Sequence, residues 1–101
     1  MSTARDLLKW EKALRAETVL DAAQYRLATT PYKPREPWGL GWRLSRTTRK
    51  TPLHYHDGGL PGFNSLFARF PYENAVVIIL CNRDEAAGSV GKRVVKDFFL
   101  E

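Results

Sequence analysis

A chain of 101 residues, 44% hydrophobic and 27% charged, is long enough for one domain with its own core and has the balance of an ordinary globular protein. Its formal charge is +5, it has one cysteine, and no apolar run is long enough for a membrane-spanning helix, so an internal disulfide framework and a helical membrane span are excluded. The start "MSTARDLLKW" lacks the apolar stretch and cleavage site of a signal peptide, so the chain as it stands reads as cytoplasmic, while a longer parent could be periplasmic.

Residues 3–15 predict a helix. Thr3 can cap its start, with Asp6 three residues on as the reciprocal partner, and Leu7, Trp10 and Leu14 then fall on one stripe. Asp21 and Gln24 repeat the capping signature, which predicts a short second helix over 22–28. Three prolines make 29–37 a loop.

The period then changes from helical to alternating. In "WGLGWRLS" (38–45), Trp38, Leu40, Trp42 and Leu44 alternate with Gly39, Gly41, Arg43 and Ser45, which predicts a strand with one apolar face and one face left bare by glycine. Further strands are expected at 52–57, 63–70 and 75–80, with a turn at 71–74. The strand "AVVIIL" is apolar on both faces and so wants a cover above and below, although a simple meander leaves it at the sheet edge. A helix over 89–100, with Val90, Val94 and Phe98 on one side, closes the chain. The expected fold is α+β, a four-stranded antiparallel meander flanked by N-terminal helices and a C-terminal helix in a single domain, 1–101.

Arg43, Arg46, Arg49 and Lys50 lie within eight residues, but no aromatic is interleaved and no groove-reading motif flanks them. They read as a solvated turn between strands, and no nucleic-acid partner is expected. His54 and His56 are neighbours on one strand face, which is fewer ligands than structural or catalytic zinc requires; Asp57 points the other way, so no metal site is expected. Cys81 ends an apolar run and reads as a small buried hydrophobe. In "HDGGLPGF", two glycines directly after a strand allow close backbone approach to a ligand, and their N–H groups could face a developing oxyanion. The plain alternative is a loose hairpin loop, where Gly and Pro serve conformation alone.

The succession "STARDLLKWEKAL", "TPY", "WGLGWRL", "HDGGLPGFNSLFARFP", "NAVVIILCN" resembles the C-terminal part of the serine β-lactamase-like hydrolases, the family of class C β-lactamases, penicillin-binding proteins, D-aminopeptidases and related esterases. The resemblance runs over nearly the whole chain and implies that the predicted sheet is part of a β-lactamase-like α/β domain. The family uses Ser-x-x-Lys, Tyr-x-Asn and then Lys-Thr-Gly or His-x-Gly, in that order. His56-Asp57-Gly58 matches the third motif in its histidine form, the form that resembles D-aminopeptidases and esterases more than true β-lactamases. The resemblance assigns His56 a catalytic place, Asp57 and Gly58 a place against substrate, and Gly59 a backbone N–H for the oxyanion.

The first two motifs have no match in the expected order. Ser89-Val90-Gly91-Lys92 and Tyr72-Glu73-Asn74 have the spacings but follow the histidine motif, and the strand 63–70 carries Tyr72 to the far end of the sheet, about 26 Å away. Ser89 reads as a helix cap. The expectation is a C-terminal subdomain that has no nucleophile in this chain, needs no cofactor and is inactive alone. Its partners would be a missing N-terminal segment of a parent enzyme or a second copy of the chain, with a small-molecule substrate in the intact enzyme only. The alternative is a non-enzymatic binding or assembly module that uses the same sheet.

Overall fold

A computed structural model describes residues 2–84 and 86–99. Two helices, α1 (Ala4–Arg15) and α2 (Ala22–Ala28), precede four strands, β1 (Arg43–Arg46), β2 (Pro52–Leu60), β3 (Phe63–Phe70) and β4 (Ala75–Cys81), and α3 (Ala86–Phe99) follows. The strands form one antiparallel sheet in the order β1-β2-β3-β4, the expected meander. No helix among the described residues is long and apolar enough to cross a membrane.

The helix starts follow from capping. Thr3 Oγ1 accepts from the Asp6 N–H at 3.1 Å. At α2 both halves of the capping box form: Gln24 N–H donates to Asp21 Oδ1 at 2.8 Å, and Asp21 N–H donates to Gln24 Oε1 at 3.0 Å.

Strand alternation then separates the two faces of the sheet. His54, His56 and Gly58 on β2 stand opposite Arg69, Phe67 and Ser65 on β3, and this face meets α1 and α2. The other face carries Ala68, Phe70 and Val77, all buried, with Leu53, Tyr55, Leu66, Ala75, Ile79 and Val94 of α3 packed around them. The apolar core therefore lies between the sheet and α3. Strand β4 has α1 against one face and α3 against the other, the two covers its composition requires. Helix and sheet approach closely at Gly91, where a Cβ would lie 2.3 Å from Leu66 Cδ2.

Three expectations need correction. The strand expected at 38–45 begins only at Arg43; Trp38 pairs with Arg43 across a tight turn in which Gly41 has φ +78°. Apolar alternation was misleading here because Gly39 is needed for a different reason. It abuts α2, where a Cβ would lie 2.1 Å from the Ala28 carbonyl oxygen, and the next N–H, of Leu40, donates to that oxygen at 2.8 Å. Next, β2 runs on to Leu60, so Gly58 and Gly59 lie within the strand and not in a loop after it; the turn is Pro61-Gly62, with Gly62 at φ +80°. Pro followed by a left-handed Gly is the residue pair that a type II turn selects. Lastly, α3 starts at Ala86, which places Ser89 inside the helix and not at its cap. The side chain of Phe98 lies outside the described residues.

Candidate functional site

The geometry of the β2–β3 hairpin decides which way the glycine backbone faces. Only two residues separate the closing pair Leu60 and Phe63, so that pair must exchange its backbone hydrogen bonds directly. Alternation from there turns the N–H and C=O groups of Gly58 and His56 toward β3, and those of Gly59 and Asp57 toward the opposite edge. Strand β1 ends on that edge at Arg43, opposite Tyr55. Beyond Tyr55, the outer edge of β2 has no strand partner among the described residues, and the Gly59 N–H faces outward along it.

The glycines are held from the β3 side. Asn64 Nδ2 donates to the Gly58 carbonyl at 3.1 Å, and Ser65 Oγ donates to the same oxygen at 3.5 Å. The other end of the Asn64 amide, Oδ1, accepts from the N–H of Ala87 in the first turn of α3 at 2.9 Å. The turn is fastened separately, by the Gly62 N–H to Asp84 Oδ1 at 2.6 Å. A shallow groove of about 710 Å³ runs past Gly58, Gly59, Asn64, Ser65 and Cys81.

His56 is exposed and stands on the α1 face of the sheet. Its ring lies edge-on to Trp38, with centroids 6.2 Å apart, and the Arg43 guanidinium lies 5.5 Å from the centre of that indole and 5.9 Å from Tyr55. Arg43 is thus engaged with aromatic rings and is no part of a free basic patch. Arg46 ends β1, and Arg49 and Lys50 lie in the β1–β2 turn, in which buried Thr47 bonds to Thr51 at 2.6 Å between hydroxyls and Thr51 donates to Glu73. His56 borders a different hollow from Gly59, an apolar groove of about 390 Å³ that includes Leu7, Trp10, Trp42 and Phe67. Asp57 is exposed on the opposite face, so residues 56–59 form one strand end but not one pocket wall.

His54 is half-buried and differs from its neighbour in every respect. Tyr25 Oη lies 2.8 Å from its Nδ1. Burial pushes the tyrosine pKa up, with Arg69 opposing, so the phenol keeps its proton and can donate it to Nδ1 of the tautomer that carries its own proton on Nε2. Burial, then the charge of Arg69, pushes His54 down to about 4, so it is neutral at pH 7. Arg69 pairs with Glu11, and both are buried; its guanidinium lies 4.8 Å from the centre of the Tyr25 ring. Arg15 adds a second contact to Glu11 at 2.9 Å. No group of three or more potential metal ligands occurs among the described residues.

Sequence reasoning missed Asn64, Ser65, Tyr25, Glu11 and Arg69. Two carried a signal. Asn64 is the one polar residue on its face of "FNSLFARF", shared with Leu66, Ala68 and Phe70. Glu11 lies on the stripe of Leu7 and Leu14 at helical spacing. Of the look-alike motifs, Tyr72 is exposed at the far end of β3, and Asn74 ends its turn with φ 56°.

The family profile described as Beta-lactamase matches residues 1–98. The chain therefore belongs to the beta-lactamase family. It is 26% identical over 88 residues to penicillin-binding protein 4* of Bacillus subtilis (strain 168). That match covers 83% of this chain and 20% of the relative, so the chain spans about a fifth of the length of the curated relative it matches. No solved structure matches it significantly.

Proposed function

We propose that this chain forms the C-terminal wall of a serine acyl-transfer site, with His56 in the third-motif place, Gly59 as a backbone donor to the oxyanion, and Asp57 and Gly58 beside the substrate. The observation that carries this reading is the open edge of β2, along which the Gly59 N–H faces outward next to the strand position of His56. In the intact enzyme a serine would attack the carbonyl carbon of an ester, a D-amino-acid amide or a lactam. The tetrahedral oxygen would carry the negative charge, and collapse would expel the alcohol or amine and leave an acyl-serine for water to cleave. Gly59 would stabilise that oxygen, and His56 would contact the substrate or assist proton movement.

The nucleophile and its base would come from another part of such an enzyme, so the chain alone is expected to be inactive. The outer edge of β4 supports this reading, because it lies at the sheet margin with Leu80 40% exposed, where the parent segment or a second copy of the chain would pair. The same edge favours a second reading, an assembly module without catalysis.

The test uses a polypeptide that carries both this chain and the serine motif, assayed with a chromogenic ester, a D-alanyl anilide and a chromogenic cephalosporin. Gly59→Pro removes the donor N–H on an edge where proline needs no ladder bond. A fall in kcat of about 10²- to 10³-fold with the fold retained is expected. Full kcat in that variant would refute the assignment of Gly59.

A further inference from the structure

We infer that Asn64 is a positioning residue that fixes the peptide plane presenting the Gly59 N–H; the inference rests on the reading of Gly59 as oxyanion donor. The Gly58 carbonyl and the Gly59 N–H are the two ends of one peptide unit, which is planar and turns as a body. Asn64 Nδ2 holds the carbonyl end at 3.1 Å, and Ser65 Oγ supports it at 3.5 Å. The N–H end faces the open edge of β2, where no strand fixes it. The ladder bond between Gly58 and Ser65 holds the same carbonyl, and Asn64 adds to it where neither Gly58 nor Gly59 has a Cβ to limit its backbone.

Asn64 can supply the restraint because its own amide is anchored. Oδ1 accepts from the Ala87 N–H at 2.9 Å, in the first turn of α3, so the side chain bridges a helix start and the glycine peptide. The fit is close, since a Cβ on Gly59 would lie 3.3 Å from Asn64 Nδ2. There is also an electronic consequence. A bond donated to the Gly58 oxygen polarises the peptide and strengthens the donor at its other end.

Asparagine is the residue type this bridge needs, because one end must accept and the other donate. That requirement provides the test. Asn64→Asp keeps an acceptor for the Ala87 N–H, and adds a negative charge that suits a helix start, but it cannot donate to Gly58. Asn64→Ala removes both bonds. The readout is 15N relaxation of the Gly59 N–H in the chain itself, with Asp57 as the internal reference. The Asp57 N–H faces the same edge, but its peptide carbonyl, of His56, is not held by Asn64.

The expected result is an order parameter at Gly59 that falls from the rigid range near 0.85 to below about 0.6 in both variants, with Asp57 unchanged and Asn64→Asp as stable to heat as the parent. An unchanged order parameter and residual dipolar coupling at Gly59 in a folded Asn64→Asp variant would overturn the inference. A kinetic arm separates it from the reading beneath it. In a polypeptide that also carries the serine motif, Asn64→Asp should lower kcat about tenfold with KM unchanged, part of the worth of one oxyanion donor. Loss of order at Gly59 without any loss of kcat would uphold the role of Asn64 and sink the role of Gly59 in catalysis.

Discussion

Glu11 on α1 and Arg69 on β3 stand 58 residues apart in the chain and form an ion pair in which both side chains are buried. The pair ties the first helix to the sheet, and the Tyr25 ring lies over the guanidinium. A buried pair broken on one side leaves an uncompensated charge, so Glu11→Ala should cost about 3–5 kcal/mol, read from chemical denaturation. The double variant Glu11→Leu, Arg69→Met should recover most of that loss, because two apolar groups leave no charge to solvate. An equal loss in the single and double variants would show that packing, and not charge, is what the pair supplies.

The stability of the fold should fall in mild acid. His54 titrates at about 4 in the folded chain, against an ordinary value of 6.5. As pH drops below 6.5 the unfolded chain takes up a proton that the folded chain refuses, so stability decreases between about pH 6.5 and 4 and this contribution levels off below. The ring is partly open to solvent, which limits the effect to about 1–2 kcal/mol. Urea midpoints across that range should show the slope, and His54→Gln should flatten it. A slope that persists in full would move its origin to another group.

Three glycines should respond differently to alanine. Gly39→Ala places a Cβ 2.1 Å from a backbone oxygen that cannot rotate away, and should cost about 3 kcal/mol or more. Gly41 has open space but φ +78°, so alanine there should cost about 1–2 kcal/mol from strain alone. At Gly91 the obstacle is the flexible end of Leu66, and better helix propensity, about 1 kcal/mol, offsets part of the crowding. Melting temperatures should therefore rank Gly39→Ala lowest.

His56→Ala should separate activity from stability. The side chain is exposed and makes one ring contact, so its loss should cost less than about 1 kcal/mol in the chain, while turnover in an enzyme carrying the serine motif should fall by about 10²-fold or more. A variant that unfolds while its folded fraction keeps full activity would make the residue structural.

The free edge of β4 should make the isolated chain associate at high concentration, two copies pairing edge to edge. Leu80 is 40% exposed, so Leu80→Lys can place a charge there without entering the core. Light scattering across a concentration series should show a dimer in the parent and a monomer in the variant. A strictly monomeric parent would remove the edge as an interface.

The sequence by itself determined the elements and their order wherever the signal was local. The Thr3 cap and the Asp21–Gln24 capping box fixed the starts of α1 and α2, alternation fixed β3, and the doubly apolar "AVVIIL" required covers on both faces, which α1 and α3 supply. It also carried the family, through "HDGGLPGF" and the segments around it. What only the tertiary structure decided depends on who sits across from whom. Gly39 looked like the bare face of a strand until Ala28 of α2 came against it. His54 and His56 share a strand face, yet one is half-buried under Tyr25 and the other exposed beside Trp38, because the helices cover only part of the sheet. The pairing of Glu11 with Arg69 had no mark in the sequence, since a charge in sequence carries no sign of the partner that makes its burial tolerable. The direction of the Gly59 N–H came from hairpin register, which a turn two residues long sets and which composition cannot state.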